Sequence, residues 1–111
     1  MPNLKINVDE MVWAERREAL TAALGPLRAM LCERLDVGVA ACQLALQPVA
    51  GLPDQPLVSA EIAVLPRPER TRDFLEAVCG TLRDRLSEAS GGASTAVRCT
   101  TLDPLGYLAI K

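Results

Sequence analysis

Two halves of the sequence repeat one order of predicted elements, which is strand, helix, strand. Strands are predicted at 4–8 and 41–47 in the first half and at 57–65 and 96–102 in the second. The helical segment within each half has a single apolar stripe, which has to be buried against another layer. The order therefore predicts an α+β fold in which two β-α-β units form a four-stranded mixed sheet with two helices on one face.

The first strand shows the alternation that a half-buried strand requires. Leu4, Ile6 and Val8 point to one face, and Lys5 and Asn7 point to the other. This period of two predicts that the first three side chains lie in the core.

Polar residues mark the predicted helix starts, and glycine or proline marks the ends. Asp9 is suited to cap the first helix and Thr71 to cap the second. Gly25 and Pro26 interrupt the first helical pattern and predict a kink or a short break, because proline removes a helical N–H. Gly38 is suited to the left-handed residue that ends this helix.

Length and composition limit the class of protein. A chain of 111 residues predicts one domain, residues 1–111. The net charge of −2 and only three scattered aromatic residues argue against a nucleic-acid partner. No segment has the length of a membrane span, and Asp9 and Glu10 stand where a signal peptide would have its apolar run. We therefore expect a cytoplasmic protein without membrane contact.

The cysteines are predicted to be reduced thiols buried in the core. They contain no C-x-x-C pair and lie within predicted helices and strands, where a free cysteine behaves as a small apolar residue. The four are Cys32, Cys42, Cys79 and Cys99.

The absence of histidine limits the possible chemistry. It excludes Ser-His and Cys-His nucleophile pairs and histidine zinc sites, and nothing in the sequence indicates a metal or another cofactor. A base active near neutral pH is then a carboxylate of raised pKa, a desolvated lysine or cysteine, or a terminal amine. Pro2 would supply that amine if Met1 were removed. The alternative to a catalytic role is a purely structural one, because a proline that starts a strand breaks no hydrogen bond of the sheet.

Several motifs together resemble the tautomerase superfamily, which includes macrophage migration inhibitory factor, 4-oxalocrotonate tautomerase and 5-carboxymethyl-2-hydroxymuconate isomerase. They are Met1-Pro2 before a strand, the doubled β-α-β order, and Glu69-Arg70-Thr71 in the place of the family's Gly-Arg-Ser. The segment Leu102–Lys111 is similar to the C-terminal strand of the hydroxymuconate isomerase branch.

The resemblance implies a homotrimer with active sites at subunit boundaries and a cofactor-independent keto–enol tautomerase. The substrate would be a small unsaturated 2-keto (2-hydroxydienoate) acid, with Pro2 as the general base. Arg70 matches the family motif, and Arg67 is added because it lies between two prolines at the end of a strand. Arginine suits a substrate carboxylate or an enolate. Tyr107 would line the pocket or donate to the developing oxyanion, and Arg98 is a third candidate arginine.

The sequence also departs from the family. Residues 37–39 contain no counterpart of the lysine found before the second strand in the migration-inhibitory branch. The arginine pair of the small oxalocrotonate tautomerases has only Arg16 or Arg17 for one member, and Gln43 stands near the other. Two alternatives therefore remain. One is a non-enzymatic, ferredoxin-like oligomeric module that binds a ligand, and the other is an inactive relative with the tautomerase fold.

An oligomer is also predicted from the surface. A layer of helices on one face leaves the other sheet face uncovered, and Gln43 and Gln47 are expected there. The apolar tail at 104–111 has no obvious place inside a single small domain. Both features favour a homo-oligomer that covers the open face and pairs the tail across subunits.

Overall fold

The computed structural model describes residues 2–111 and confirms the α+β class. A short 3-10 turn at Val39–Ala41 precedes the second strand. The elements in chain order are β1 (Asn3–Asp9), α1 (Glu10–Leu35), β2 (Gln43–Val49), β3 (Val58–Val64), α2 (Arg72–Ala89) and β4 (Thr95–Thr101).

The strands form one mixed sheet in the order β2-β1-β3-β4. The outer pairs, β1 with β2 and β3 with β4, are parallel, and the central pair, β1 with β3, is antiparallel. Each helix therefore connects two neighbouring parallel strands. A ferredoxin-like fold instead places another strand between the two that a helix connects, so the observed order differs from that alternative.

The core lies between the sheet and the helices. Leu4, Ile6 and Val8 are at most 1% exposed, as the alternation of the first strand predicts. Because both helices cover the same face, the core is a single aliphatic layer. The helices contribute Leu20, Leu27, Met30, Leu31, Leu35, Val78, Leu82 and Leu86.

Both predicted helix caps are confirmed. Asp9 Oδ1 accepts a hydrogen bond of 3.0 Å from the backbone N–H of Met11. Thr71 Oγ1 accepts one of 3.2 Å from the backbone N–H of Phe74. Each side chain pairs a first-turn N–H that has no partner within the helix.

Helix α1 has no break at Pro26, which was one of the two predicted outcomes there, and its last turn differs from the sequence prediction. The helix continues through Pro26 without a break, and its buried residues Leu20 and Leu27 on either side hold both parts against the core. The left-handed residue is Asp36, with φ of 53°, and not Gly38. Aspartate is among the few residues that adopt this conformation at modest cost.

The helix-free face of the sheet is polar. The register places Glu61 on β3 opposite Lys5 on β1 and opposite Arg98 on β4. Gln47 Nε2 donates to Asn7 Oδ1 over 2.8 Å on the same face.

Neither helix within residues 2–111 combines the length and the apolar character that crossing a membrane requires.

The C-terminal tail, residues 102–111, forms a turn and no strand in this chain. Three of its apolar side chains point away from the domain, since Leu105, Leu108 and Ile110 are 97%, 80% and 88% exposed. The tail therefore leaves an apolar surface uncovered.

Candidate active site

Pro2 lies buried where β1 begins. Its side chain is less than 2% exposed, and its carbonyl accepts a hydrogen bond of 3.1 Å from the N–H of Gln43, at the start of β2. Asn3 pairs with Ala63 on the other side. The residue is thus placed between the start of one strand and the end of another, which are both rigid elements.

Arg67 follows β3 at this same end of the sheet and contacts the end of α1. Its Nη1 donates to the carbonyl of Asp36 over 3.0 Å and to that of Leu35 over 3.3 Å. The same nitrogen lies 4.0 Å from Glu69 Oε1, and the Arg67 side chain is 40% exposed. The guanidinium is therefore anchored on one side and open to solvent on the other.

Arg70 is more deeply buried, at 8% exposed. Its Nη1 donates to Leu65 O over 2.7 Å, and its Nη2 donates to Leu35 O over 2.9 Å. Its Nε has no hydrogen-bond partner within residues 2–111. Burial, followed by the positive charge of Arg67, lowers the pKa of Arg70 from its ordinary value. The residue thus joins the end of β3 to the end of α1.

The carbonyl groups that both arginines bind explain why two cations are stable side by side. A helix C-terminus presents carbonyls without intrahelical partners and carries partial negative charge. Leu35 and Asp36 provide these carbonyls. The end of α1 therefore compensates the charge of Arg67 and Arg70.

The tail brings Tyr107 to the same end of the sheet. Leu102 N donates to Val64 O over 2.8 Å, which extends the β3–β4 pairing by one residue. Tyr107 N then closes a turn on Asp103 O over 3.0 Å, and Lys111 Nζ donates to Ala40 O over 3.4 Å. The tail thus runs from the end of β4 to the residues before β2, on the opposite edge of the sheet.

The structure places the four predicted site residues at one end of the sheet. The Arg70 backbone N–H donates to the Arg67 carbonyl over 3.0 Å, and no side-chain hydrogen bond or ion pair joins any two of the four within residues 2–111. Arg98 is not part of this group. It lies on the open sheet face, where its Nη1 donates to Ser59 Oγ over 3.3 Å. The described part of the chain contains no cluster of three or more acidic, cysteine or histidine side chains that would hold a metal.

A cleft between α2 and β4 was not predicted. Its volume is about 470 Å³, and Arg70, Arg72 and Leu75 lie at its lining together with two thiols, Cys79 from the helix and Cys99 from the strand. The prediction of buried core thiols holds for Cys42 but is wrong for Cys32, Cys79 and Cys99, which are only partly buried. The signal available in the sequence was that Leu75 and Cys79 are one helical turn apart, on the face that packs over the edge strand.

Comparison of the sequence with protein-family models and with curated proteins gives no match. The fold does match solved structures. A Vibrio cholerae protein of unknown function has a TM-score of 0.75 at 14% identity, over 97% of this chain and 83% of that one. A fused 4-OT solved as a symmetric trimer has a TM-score of 0.65 at 18% identity, over 91% and 85%.

Macrophage migration inhibitory factor of Toxoplasma gondii has a TM-score of 0.69 at 12% identity, over 97% of this chain and 96% of that one. These structures share the two β-α-β units and the four-stranded sheet described above. The chain therefore has the tautomerase fold, as the sequence resemblance predicts.

Proposed function

We propose that the protein is a cofactor-independent tautomerase that moves a proton on a small unsaturated 2-keto acid, with Pro2 as the general base after removal of Met1. The observation that carries this proposal is the buried position of Pro2 at the start of β1 in a tautomerase fold. Arg67 and Arg70 at the same end of the sheet provide the positive charge that an acidic substrate requires.

Burial favours the neutral form of the Pro2 amine, which is the form that can accept a proton as a base. A terminal α-amine has an ordinary pKa of about 7.7–8.0, and both desolvation and nearby cations disfavour its charged form. Pro2 is buried, and two guanidinium groups occupy its end of the sheet. A neutral amine on a rigid strand is then available near pH 7.

The proposed reaction is a proton transfer between two positions of the substrate. The Pro2 nitrogen removes a proton from the enol oxygen or from a carbon beside the carbonyl, and the electron pair is delocalised as a dienolate. The protonated amine then returns the proton to a different atom. Arg67 would bind the substrate carboxylate, because its side chain is partly exposed.

Arg70 would contribute positive charge from its buried position, since both terminal nitrogens already donate to carbonyls. Tyr107, which is half-buried, would donate its hydroxyl to the developing oxyanion. Preorganised donors at this position are a large source of rate enhancement in enolate chemistry.

A homotrimer with sites at subunit boundaries is part of this proposal. The fused 4-OT of the same fold is a symmetric trimer, and the apolar side chains of the tail here are 80–97% exposed. Packing against a second copy would remove that surface from water. A small keto acid and other copies of the chain are the proposed partners. The cytoplasm is the proposed location, where four free thiols stay reduced.

The experiment is a ketonisation assay on phenylenolpyruvate and 2-hydroxymuconate between pH 5 and 9, with the intact mass measured first. We expect Met1 to be absent and activity to depend on a basic group that titrates near neutral pH. Pro2→Ala should lower kcat at least tenfold, and Arg67→Met should mainly raise KM. Retention of Met1, or equal activity of Pro2→Ala and the native protein, would refute Pro2 as the base.

A second candidate is an inactive relative that binds a ligand without catalysis. The observation that favours it is the use of Arg67 and Arg70 as donors to Leu35, Asp36 and Leu65. This alternative predicts that a protein with Met1 removed is inert toward both substrates. It also predicts that Pro2→Ala leaves the affinity for the unsaturated acid, measured by calorimetry, unchanged.

A further inference from the structure

Two of the four cysteines meet in the cleft between α2 and β4. Cys79 and Cys99 both line this cleft, and each thiol shifts the pKa of the other. Both residues are only partly buried, so small molecules have access to them. This arrangement joins the second helix to the edge strand that follows it in the chain.

The lining of the cleft is suited to an acidic reagent. Its charged groups are Arg70 and Arg72, which are positive, and Glu76, which is negative. Arg72 is the first residue of α2, where the N-terminal N–H groups add further positive potential. Apolar contacts from Leu75 and Val97 complete the walls. The cleft therefore has a net positive lining around a pair of thiols.

We propose that this cleft is a thiol–disulfide exchange site for a small acidic disulfide, with Cys99 as the attacking thiol and Cys79 as the resolving thiol. In the first step the Cys99 thiolate bonds to one sulfur of oxidised glutathione, and one glutathione thiolate leaves. In the second step deprotonated Cys79 attacks the Cys99 sulfur, and the second glutathione leaves. The disulfide is reduced to two thiols as the protein dithiol is oxidised to one disulfide.

The effect of each thiol on the other favours this assignment of roles. The neighbouring Cys79 thiol lowers the pKa of Cys99 to about 7, against the opposing effect of burial. The Cys99 thiol, together with burial, raises the pKa of Cys79. Cys99 is therefore the thiol of this pair that ionises more readily, and the thiolate is the nucleophilic form.

The other cysteine pair provides an internal control. Cys32 and Cys42 also interact, but Cys42 is 6% exposed, and burial followed by the charge of Cys32 raises the pKa of Cys42 to about 11. At pH 7 Cys99 is therefore far more ionised than Cys42, and this outweighs the lower intrinsic nucleophilicity of its thiolate. We expect Cys99 to react at least tenfold faster than Cys42.

The experiment incubates the reduced wild-type protein with oxidised glutathione at pH 7 and follows each cysteine by peptide mass spectrometry. We expect the wild-type protein to lose two hydrogens and to yield a Cys79–Cys99 cross-linked peptide while the Cys32 and Cys42 peptides stay reduced. Cys79→Ser should accumulate one glutathionyl group on Cys99. The proposal would be overturned if Cys32 or Cys42 were modified first, or if Cys99 were not modified. Because this mapping uses the wild-type protein, its result does not depend on whether a variant folds.

The acidic specificity has its own test. Arg72→Glu should slow the reaction with oxidised glutathione severalfold and leave the reaction with the uncharged bis(2-hydroxyethyl) disulfide nearly unchanged. Arg85→Glu makes the same charge change on the same helix outside this cleft. If both variants slow the two reagents equally, the cleft does not select an acidic disulfide.

Discussion

Replacing Arg70 by methionine tests the connection between the end of β3 and the end of α1. The side chain is 8% exposed and donates to Leu65 O at 2.7 Å and Leu35 O at 2.9 Å. Methionine keeps the apolar length of the side chain and removes both donors. The two carbonyls then lose charged partners in a largely buried position.

The magnitude follows from these contacts. Hydrogen bonds from a charged donor contribute about 1.5–3 kcal/mol each, which makes about 3–6 kcal/mol for two. The variant also removes a buried charge whose Nε is unpartnered, and this relief offsets part of the loss. We expect the free energy of unfolding to fall by about 3 kcal/mol. For a chain of 111 residues this lowers Tm by about 13 °C.

The matched control is Arg67→Met. Arg67 donates to the same helix end over longer distances of 3.0 and 3.3 Å, and its side chain is 40% exposed. Solvent replaces most of this interaction, so we expect a loss of only about 1 kcal/mol. Urea and thermal unfolding followed by circular dichroism, at one protein concentration, would measure both variants. If Arg70→Met is no more destabilising than Arg67→Met, the structural role assigned to Arg70 is wrong.

Three further predictions concern the caps, a turn and a buried thiol. Thr71→Ala should lower stability in urea unfolding by about 1 kcal/mol, because the Phe74 N–H loses its cap; Thr71→Ser should restore it. Gly91→Ala should cost about 1–2 kcal/mol in the same assay, because φ at this residue is +76° and its Cβ would lie 2.6 Å from Arg16 Nε. The Cys42 pKa of about 11 means that the folded state retains a proton which the unfolded state loses near pH 9. Between pH 9 and 11 the free energy of unfolding of the wild-type protein should therefore fall by about 2 kcal/mol more than that of Cys42→Ala. Equal pH profiles of the two proteins would contradict the burial of this thiol.

The candidate site was only partly accessible from the sequence. Pro2 was predicted at the start of a strand, and the structure finds it there and buried. The partners of Arg67 and Arg70 were not predictable, because Leu35 and Asp36 are more than thirty residues away in the chain. That Cys79 and Cys99 line one cleft was also missed, although their elements are consecutive in the chain, because it depends on which strand α2 covers.

Local patterns by themselves determined the α+β class, the doubled β-α-β order and the caps at Asp9 and Thr71. Each of these depends on residues close together in the chain, where periodicity and a single side-chain hydrogen bond are sufficient. Tertiary structure alone decided that α1 continues through Pro26 and that Asp36 takes the left-handed conformation. The helix continues because burying its apolar face on both sides of Pro26 outweighs the loss of one helical hydrogen bond.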